Sequence, residues 1–155
     1  MKKIILPALA ALLLLTTACE QEKVAPTQAP EASATAQDAS VSTIPCYYPD
    51  NCVLQARAAR TYLGVTPALP YGLTYWTGKQ AIINTQRPRI GSVAICAENN
   101  YYQGQRVGHV ALVIGITGTG SSAIIRLHEA NYGGQYCRKD RSGTAAQLKI
   151  AGYFY

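Results

Sequence analysis

Acidic side chains are the scarce class in this 155-residue chain, with eight Asp and Glu against fourteen Lys and Arg and a formal net charge of +6. The shortage is sharper from Cys46 onward, where eleven basic residues face only Asp50, Glu98, Glu129 and Asp140. Such a surface favours an anionic partner, whether wall polymer, lipid headgroups or nucleic acid, with a solvated basic surface as the plain alternative. Nucleic acid is set aside because the chain has no clustered basic helix and no recognisable binding motif. Closely spaced cysteine pairs are missing too, which argues against a zinc site, and no cofactor or metal is expected. Methionine and tryptophan occur once each, whereas tyrosine occurs eleven times. The composition is globular and moderately basic, with room for one domain of ordinary size once any processed segment is removed.

Long apolar runs are lacking except at the N-terminus, where "MKKIILPALAALLLLTTAC" places two lysines, an apolar stretch and small residues ahead of Cys19. The stretch is short for a comfortable membrane span, and the layout is that of an export signal. "LTTA" directly before Cys19 resembles a bacterial lipobox, with the leucine one place further from the cysteine than is commonest. That resemblance implies a signal peptide over 1–18, cleavage before Cys19 and lipidation of its thiol. Glu20, rather than aspartate, follows it, which by the rule for such proteins implies sorting to the outer membrane, facing the periplasm, in a host that has one. An exported location also argues against nucleic acid.

Residues 20–45 read "EQEKVAPTQAPEASATAQDASVSTIP". Rich in Ala, Thr, Ser, Gln and Pro, and without apolar periodicity, this stretch is expected to be a disordered tether, so that 19–45 forms an anchor and spacer and 46–155 a folded domain. As a coil the tether would span about 28 Å, and stretched about 85 Å.

In the domain, "PDNCVLQARAARTYLGV" carries Pro49, cap candidates Asp50 and Asn51, a helix-forming run and a closing Gly64. Cys52, Ala56, Ala59 and Leu63 form a narrow stripe suited to close packing on a sheet. A short helical or irregular stretch is expected over 73–84, and strands over 92–96, 109–116, 123–131 and 148–155. A helix followed by strands reads as α+β with an antiparallel sheet.

"TGTGSS", between Ile116 and Ala123, is turn chemistry and predicts a hairpin. Pairing 116 near 123 sets 109 across from about 130, and registers shifted by one set it across from 129 or 131. In either shifted register His109 shares a face with Glu129 and Asn131, because side chains alternate along a strand. That face also holds Ala111, Val113, Ala123, Ile125 and Leu127, and is expected to receive the helix. Val110, Leu112, Ile114, Arg126 and His128 occupy the other, so His128, the rival base, is expected to be a surface or tuning residue.

A thiol in a helix's first turn has its anion stabilised by the helix's positive end, and a neighbouring imidazole can take its proton. An acid or amide beyond that imidazole fixes its tautomer and orientation. Cys52, His109 and then Glu129 or Asn131 come in that order, the constellation for acyl transfer through a thioester. A buried or disulfide-bonded Cys52 is the alternative. Trp76, Tyr101 and Tyr102 could line a sugar or peptide groove, or simply pack. Glu98 follows Cys96 in a loop with no partner placed. If Cys52 is free, Cys46, Cys96 and Cys137 allow at most one intramolecular disulfide, its partners open.

"NCVLQARAARTYLG", "RPRIGSVAI", "GHVALVIGI" and "IIRLHEANY" together resemble the CHAP domain, the cysteine, histidine-dependent amidohydrolase/peptidase of bacterial cell-wall metabolism, over most of residues 50–132. The resemblance implies a papain-like fold in which an N-terminal helix bearing the cysteine packs on an antiparallel sheet. It also implies Cys52 as nucleophile, His109 as general base, Glu129 as third member, Asn131 as a polar group near it, and peptidoglycan as substrate. One departure bears on substrate preference: Val53, Leu54 and Gln55 follow the cysteine where the family often has an aromatic. The expected protein is thus a lipid-anchored peptidoglycan amidase or endopeptidase of the cell envelope. A catalytically silent wall-binding or structural lipoprotein of the same fold is the other reading.

Overall fold

The computed structural model describes residue 41 and residues 43–155. The expected signal segment, Cys19 and residues 20–40 of the expected tether lie outside the described residues. Val41 and Ile44 fall within the expected tether by sequence, yet both are buried in the core. The packed chain therefore extends to the N-terminal side of Cys46.

Helix α1 spans Cys52–Tyr62. It starts there because Asn51 is extended and its side-chain oxygen accepts from the N–H groups of Val53 and Leu54, at 3.1 and 3.0 Å, satisfying donors that a helix start leaves open. It stops where Gly64 turns to a φ of +66°, a conformation glycine adopts at little steric cost. A second helix, α2 (Trp76–Ala81), occupies part of the 73–84 stretch.

Eight strands are present among the described residues: β1 (Val93–Cys96), β2 (Tyr101–Tyr102), β3 (Gln105–Arg106), β4 (His109–Thr117), β5 (Ile124–Ala130), β6 (Cys137–Arg138), β7 (Ser142–Gly143) and β8 (Ile150–Phe154). The main sheet runs β6-β5-β4-β1-β8, with β7 also on β5, and β2 and β3 form a separate hairpin. Every pairing is antiparallel. The domain is α+β, with helix α1 laid on the sheet.

The hairpin of β4 and β5 pairs Leu112 with His128 and Ile116 with Ile125, with an irregularity between Val113 and Gly115. Continued three residues from the Leu112 pair, this register brings His109 level with Asn131.

Helix α1 does not lie on the face expected to receive it. Ala56 and Ala59 pack against Val110, Leu112 and Ile114, together with Val93, Ile95 and Phe154. The Ala111, Val113, Ile125 and Leu127 face is closed instead by Leu148 and Tyr153. On β4, Val110, Leu112 and Ile114 offer the helix more apolar area than Ala111 and Val113 do, and stabilisation grows with the area buried. The polar residues that argued against this face are accommodated: Arg126 stays exposed, and His128 meets the helix's own amide, Gln55 Nε2, at 2.7 Å from its Nε2. His128 is therefore buried, 1% exposed, rather than a surface residue.

Candidate active site

Three elements deliver ionisable groups to one end of the sheet. Helix α1 opens with Cys52, β4 opens with His109, and β5 ends with Glu129 and Ala130. The helix lies on the opposite face from His109, but its first turn stands at the end of β4, so the thiol reaches the imidazole past the strand's end and is hydrogen-bonded to it. Glu129 Oε2 lies 3.0 Å from His109 Nε2, which leaves Nδ1 as the nitrogen facing the thiol. Cys52, His109 and Glu129 thus form one line, and both His109 and Glu129 are buried.

Gly108 makes the approach to His109 possible. Its φ is +59°, and a Cβ there would sit 2.7 Å from Trp76 Cε3 and 3.1 Å from the Cys96 carbonyl. No other residue fits that place without displacing the indole. Trp76 therefore acts as packing behind the start of β4, with the Arg106 guanidinium 4.7 Å over its ring.

Burial alone would raise the Cys52 thiol. The hydrogen bond and positive charge of His109, the charge of Lys79 and a backbone hydrogen bond from Val110 outweigh it and bring the pKa to about 7. For His109 burial pulls the pKa down, but hydrogen bonds and charge from Cys52 and Glu129 carry it above the ordinary histidine value. Each group stabilises the charged form of the other, as expected of a thiolate–imidazolium pair. Cys96 is pushed up to about 12, because burial and the neighbouring charges of Glu129 and Glu98 outweigh the nearby Arg141 guanidinium. It is a structural thiol.

Behind Glu129 stands a second tier of charge. Arg141 Nη1 lies 3.5 Å from Glu129 Oε2, and its guanidinium stacks 3.8 Å over Tyr132, whose ring is 5.2 Å from that of His109. Arg141 Nη2 is also 3.5 Å from Glu98 Oε1, and Glu98 Oε2 is 3.0 Å from Lys149 Nζ. Glu98, for which the sequence placed no partner, is held by two cations from the chain's C-terminal part.

Asn131 does not join the line of Cys52, His109 and Glu129. Its amide donates to the Asp50 carbonyl at 2.7 Å, and its backbone N–H to Pro49 O at 3.0 Å. With a φ of +54°, it ties the loop that leads to Cys52 to the end of β5. A disulfide between Cys46 and Cys137, 5.7 Å apart at Cα, makes a second tie between the same regions. Gln55 fixes the same leading segment to α1, accepting from Tyr47 and Tyr48 N–H and donating to the Pro45 carbonyl. Cys52 and Cys96 remain free.

A cleft of about 500 Å³ opens over Cys52 and His109, with Leu73, Lys79, Asn100 and Tyr102 in its walls. Tyr102 borders it, while Tyr101 stands outside, 66% exposed. Asn51 occupies the N–H groups of Val53 and Leu54, so the Cys52 N–H is the one at the helix start with no partner among the described residues. It is placed to bind an oxyanion formed beside the thiol. Among the described residues no cluster of His, Cys, Asp and Glu is built to hold a metal ion, and no helix is long and apolar enough to cross a membrane.

Lys79, Arg141 and Gln55 were not singled out from the sequence. For Lys79 a signal existed, since it is the only charged residue between Arg60 and Arg87. Arg141 carries none, being an ordinary member of a polar stretch, and Gln55 none beyond being a lone amide in an apolar and small-residue helix run.

No protein-family model matches the chain, and neither a curated protein nor a solved structure matches it.

Proposed function

We propose that the domain is a papain-like cysteine amidohydrolase or peptidase that cleaves amide bonds of peptidoglycan, as an N-acetylmuramoyl-L-alanine amidase or an endopeptidase, held at the cell envelope by lipid on Cys19. The observation that carries the chemistry is the line from Cys52 at a helix start through His109 to a buried Glu129. The substrate follows from the resemblance to CHAP domains and from the basic surface.

In the proposed cycle the Cys52 thiolate attacks the amide carbonyl, and the oxyanion forms against the Cys52 N–H. His109 Nδ1 then gives its proton to the leaving amine, and a thioester remains on the enzyme. Water, deprotonated by the now neutral His109, adds to the thioester and releases the acid, and the pair recovers its charges. Glu129 holds the ring so that Nδ1 faces the sulfur and offsets the imidazolium charge.

Cys52→Ala is expected to abolish muropeptide release from purified sacculi while unfolding at the wild-type temperature. Unchanged release would refute the assignment. Alkylation of the unreduced protein, read by mass spectrometry, is expected to label Cys52 and spare Cys46 and Cys137. An unlabelled Cys52 would favour a silent wall-binding lipoprotein instead.

A further inference from the structure

We propose that Lys79 is the counter-ion of the Cys52 thiolate, a positioning residue that acts through the nucleophile; this rests on Cys52 being the nucleophile proposed above. Lys79 is 2% exposed. Its Nζ donates to the Val107 carbonyl at 2.7 Å and to the Gly108 carbonyl at 3.4 Å, and it stands in the cleft wall with Cys52 and His109. Two carbonyls satisfy its donors but do not cancel its charge. No carboxylate lies within ion-pair distance of it among the described residues. A buried ammonium without a compensating anion is strongly disfavoured, so the charge must be matched by something at this end of the sheet.

The groups that face Cys52 narrow the choice. His109 approaches from β4, and Glu129 lies beyond it on β5, bound to His109 and Arg141. Cys96 comes from β1 and stays protonated, its pKa near 12. Lys79 approaches from α2, and the Asp50 of the cap loop is exposed. The thiolate is the anion left: burial lowers the Lys79 pKa, the charges of Cys52 and Cys96 oppose that fall, and the Lys79 charge in turn helps to lower the Cys52 pKa. The same ammonium holds the two carbonyls just before His109, so one residue sets both the charge of the nucleophile and the seat of the base.

The test is the pH dependence of Cys52 alkylation in the full chain by iodoacetamide, a neutral reagent, with the Cys52 peptide quantified by mass spectrometry. No wall substrate is present, so the measurement stands whether or not the protein releases muropeptides. The wild type is expected to reach half its limiting rate at about pH 7, as its thiol pKa implies. Lys79→Met is expected to move that midpoint up by about one unit, slowing labelling roughly fivefold at neutral pH and leaving it unchanged at about pH 10. Lys79→Arg, which keeps the charge, is expected to follow the wild type. Lys79→Gln keeps a donor for the Val107 carbonyl without the charge, and is expected to shift like Lys79→Met even if the latter folds poorly. An unshifted midpoint in the uncharged variants would overturn the proposal. So would an equal slowing at every pH, the mark of a merely structural role, or a shift in Lys79→Arg as large as in Lys79→Gln.

Discussion

The two faces of the β4–β5 hairpin each bury a histidine, and the two side chains are driven in opposite directions. His128, against the helix, is pushed down to about 4 by burial and by the nearby charge of Lys139, with Glu129 opposing only weakly. Its Nε2 accepts from the Gln55 amide, a bond that suits the neutral ring. His109, on the other face, is as deeply buried, yet its pKa rises, because a thiol and a carboxylate hydrogen-bond to it. Burial alone makes an imidazole neutral and inert, and an anion at each nitrogen reverses that outcome.

The contrast can be broken most severely at Glu129. Glu129→Gln keeps the shape and an acceptor but removes the charge that raises His109. His109 then holds its proton less tightly, offers less positive charge to Cys52, and the thiol pKa climbs. Turnover is expected to fall about a hundredfold or more, and the acid limb of the pH profile of muropeptide release to move to higher pH. Wild-type behaviour would mean that the two faces do not differ as described.

A smaller loss is expected from the tier behind it. Arg141→Met removes the guanidinium from both Glu129 and Tyr132, and turnover is expected to drop about tenfold with KM little changed, as for loss of alignment rather than of binding. Glu98→Gln acts one step further out and is expected to cost a few-fold. If Glu98→Gln is the more damaging of the two, the order of the tier is wrong.

Next comes the loop that leads to Cys52. Replacing Cys46 and Cys137 by Ala is expected to lower stability by about 2–4 kcal/mol but turnover only two- to threefold at low temperature, since Asn131 and Gln55 still hold the loop. Denaturant unfolding beside initial rates separates the two effects.

His128→Gln is expected to change turnover least, by less than about twofold. Its cost falls on stability, about 1–2 kcal/mol, from disturbing a buried bond to Gln55. If this variant abolishes turnover while Glu129→Gln is active, the base sits on the helix face and the assignment of the hairpin is reversed.

Much of this was legible residue by residue. Asn51 before an apolar-and-small run, with Gly64 behind it, marks a helix through backbone conformations that neighbouring residues set. Alternation along "IIRLHEANY" sets Glu129 and His128 on opposite faces, because the period of a strand is two, and the register of the hairpin then decides that His109 joins Glu129. The face that meets the helix was not legible, since Arg126 and His128 made it look polar. Only the packed helix shows that Gln55 answers His128. Nor was the second tier, because Glu98 and Arg141 are 43 positions apart and meet only when β5 and β7 pair.

Cap chemistry, strand period and chain order, all short-range properties, were enough for the sequence by itself to determine the helix start at Cys52, the hairpin of β4 and β5, and the succession of thiol, imidazole and carboxylate. The tertiary structure alone decided which face takes the helix, the register of the hairpin, that Cys46 pairs with Cys137 and leaves Cys52 free, and that Lys79 and Arg141 flank the line from Cys52 to Glu129. Those outcomes turn on how much apolar area two surfaces bury together and on which distant charges come within a few ångströms in a dry interior, and neither quantity has a period along the chain.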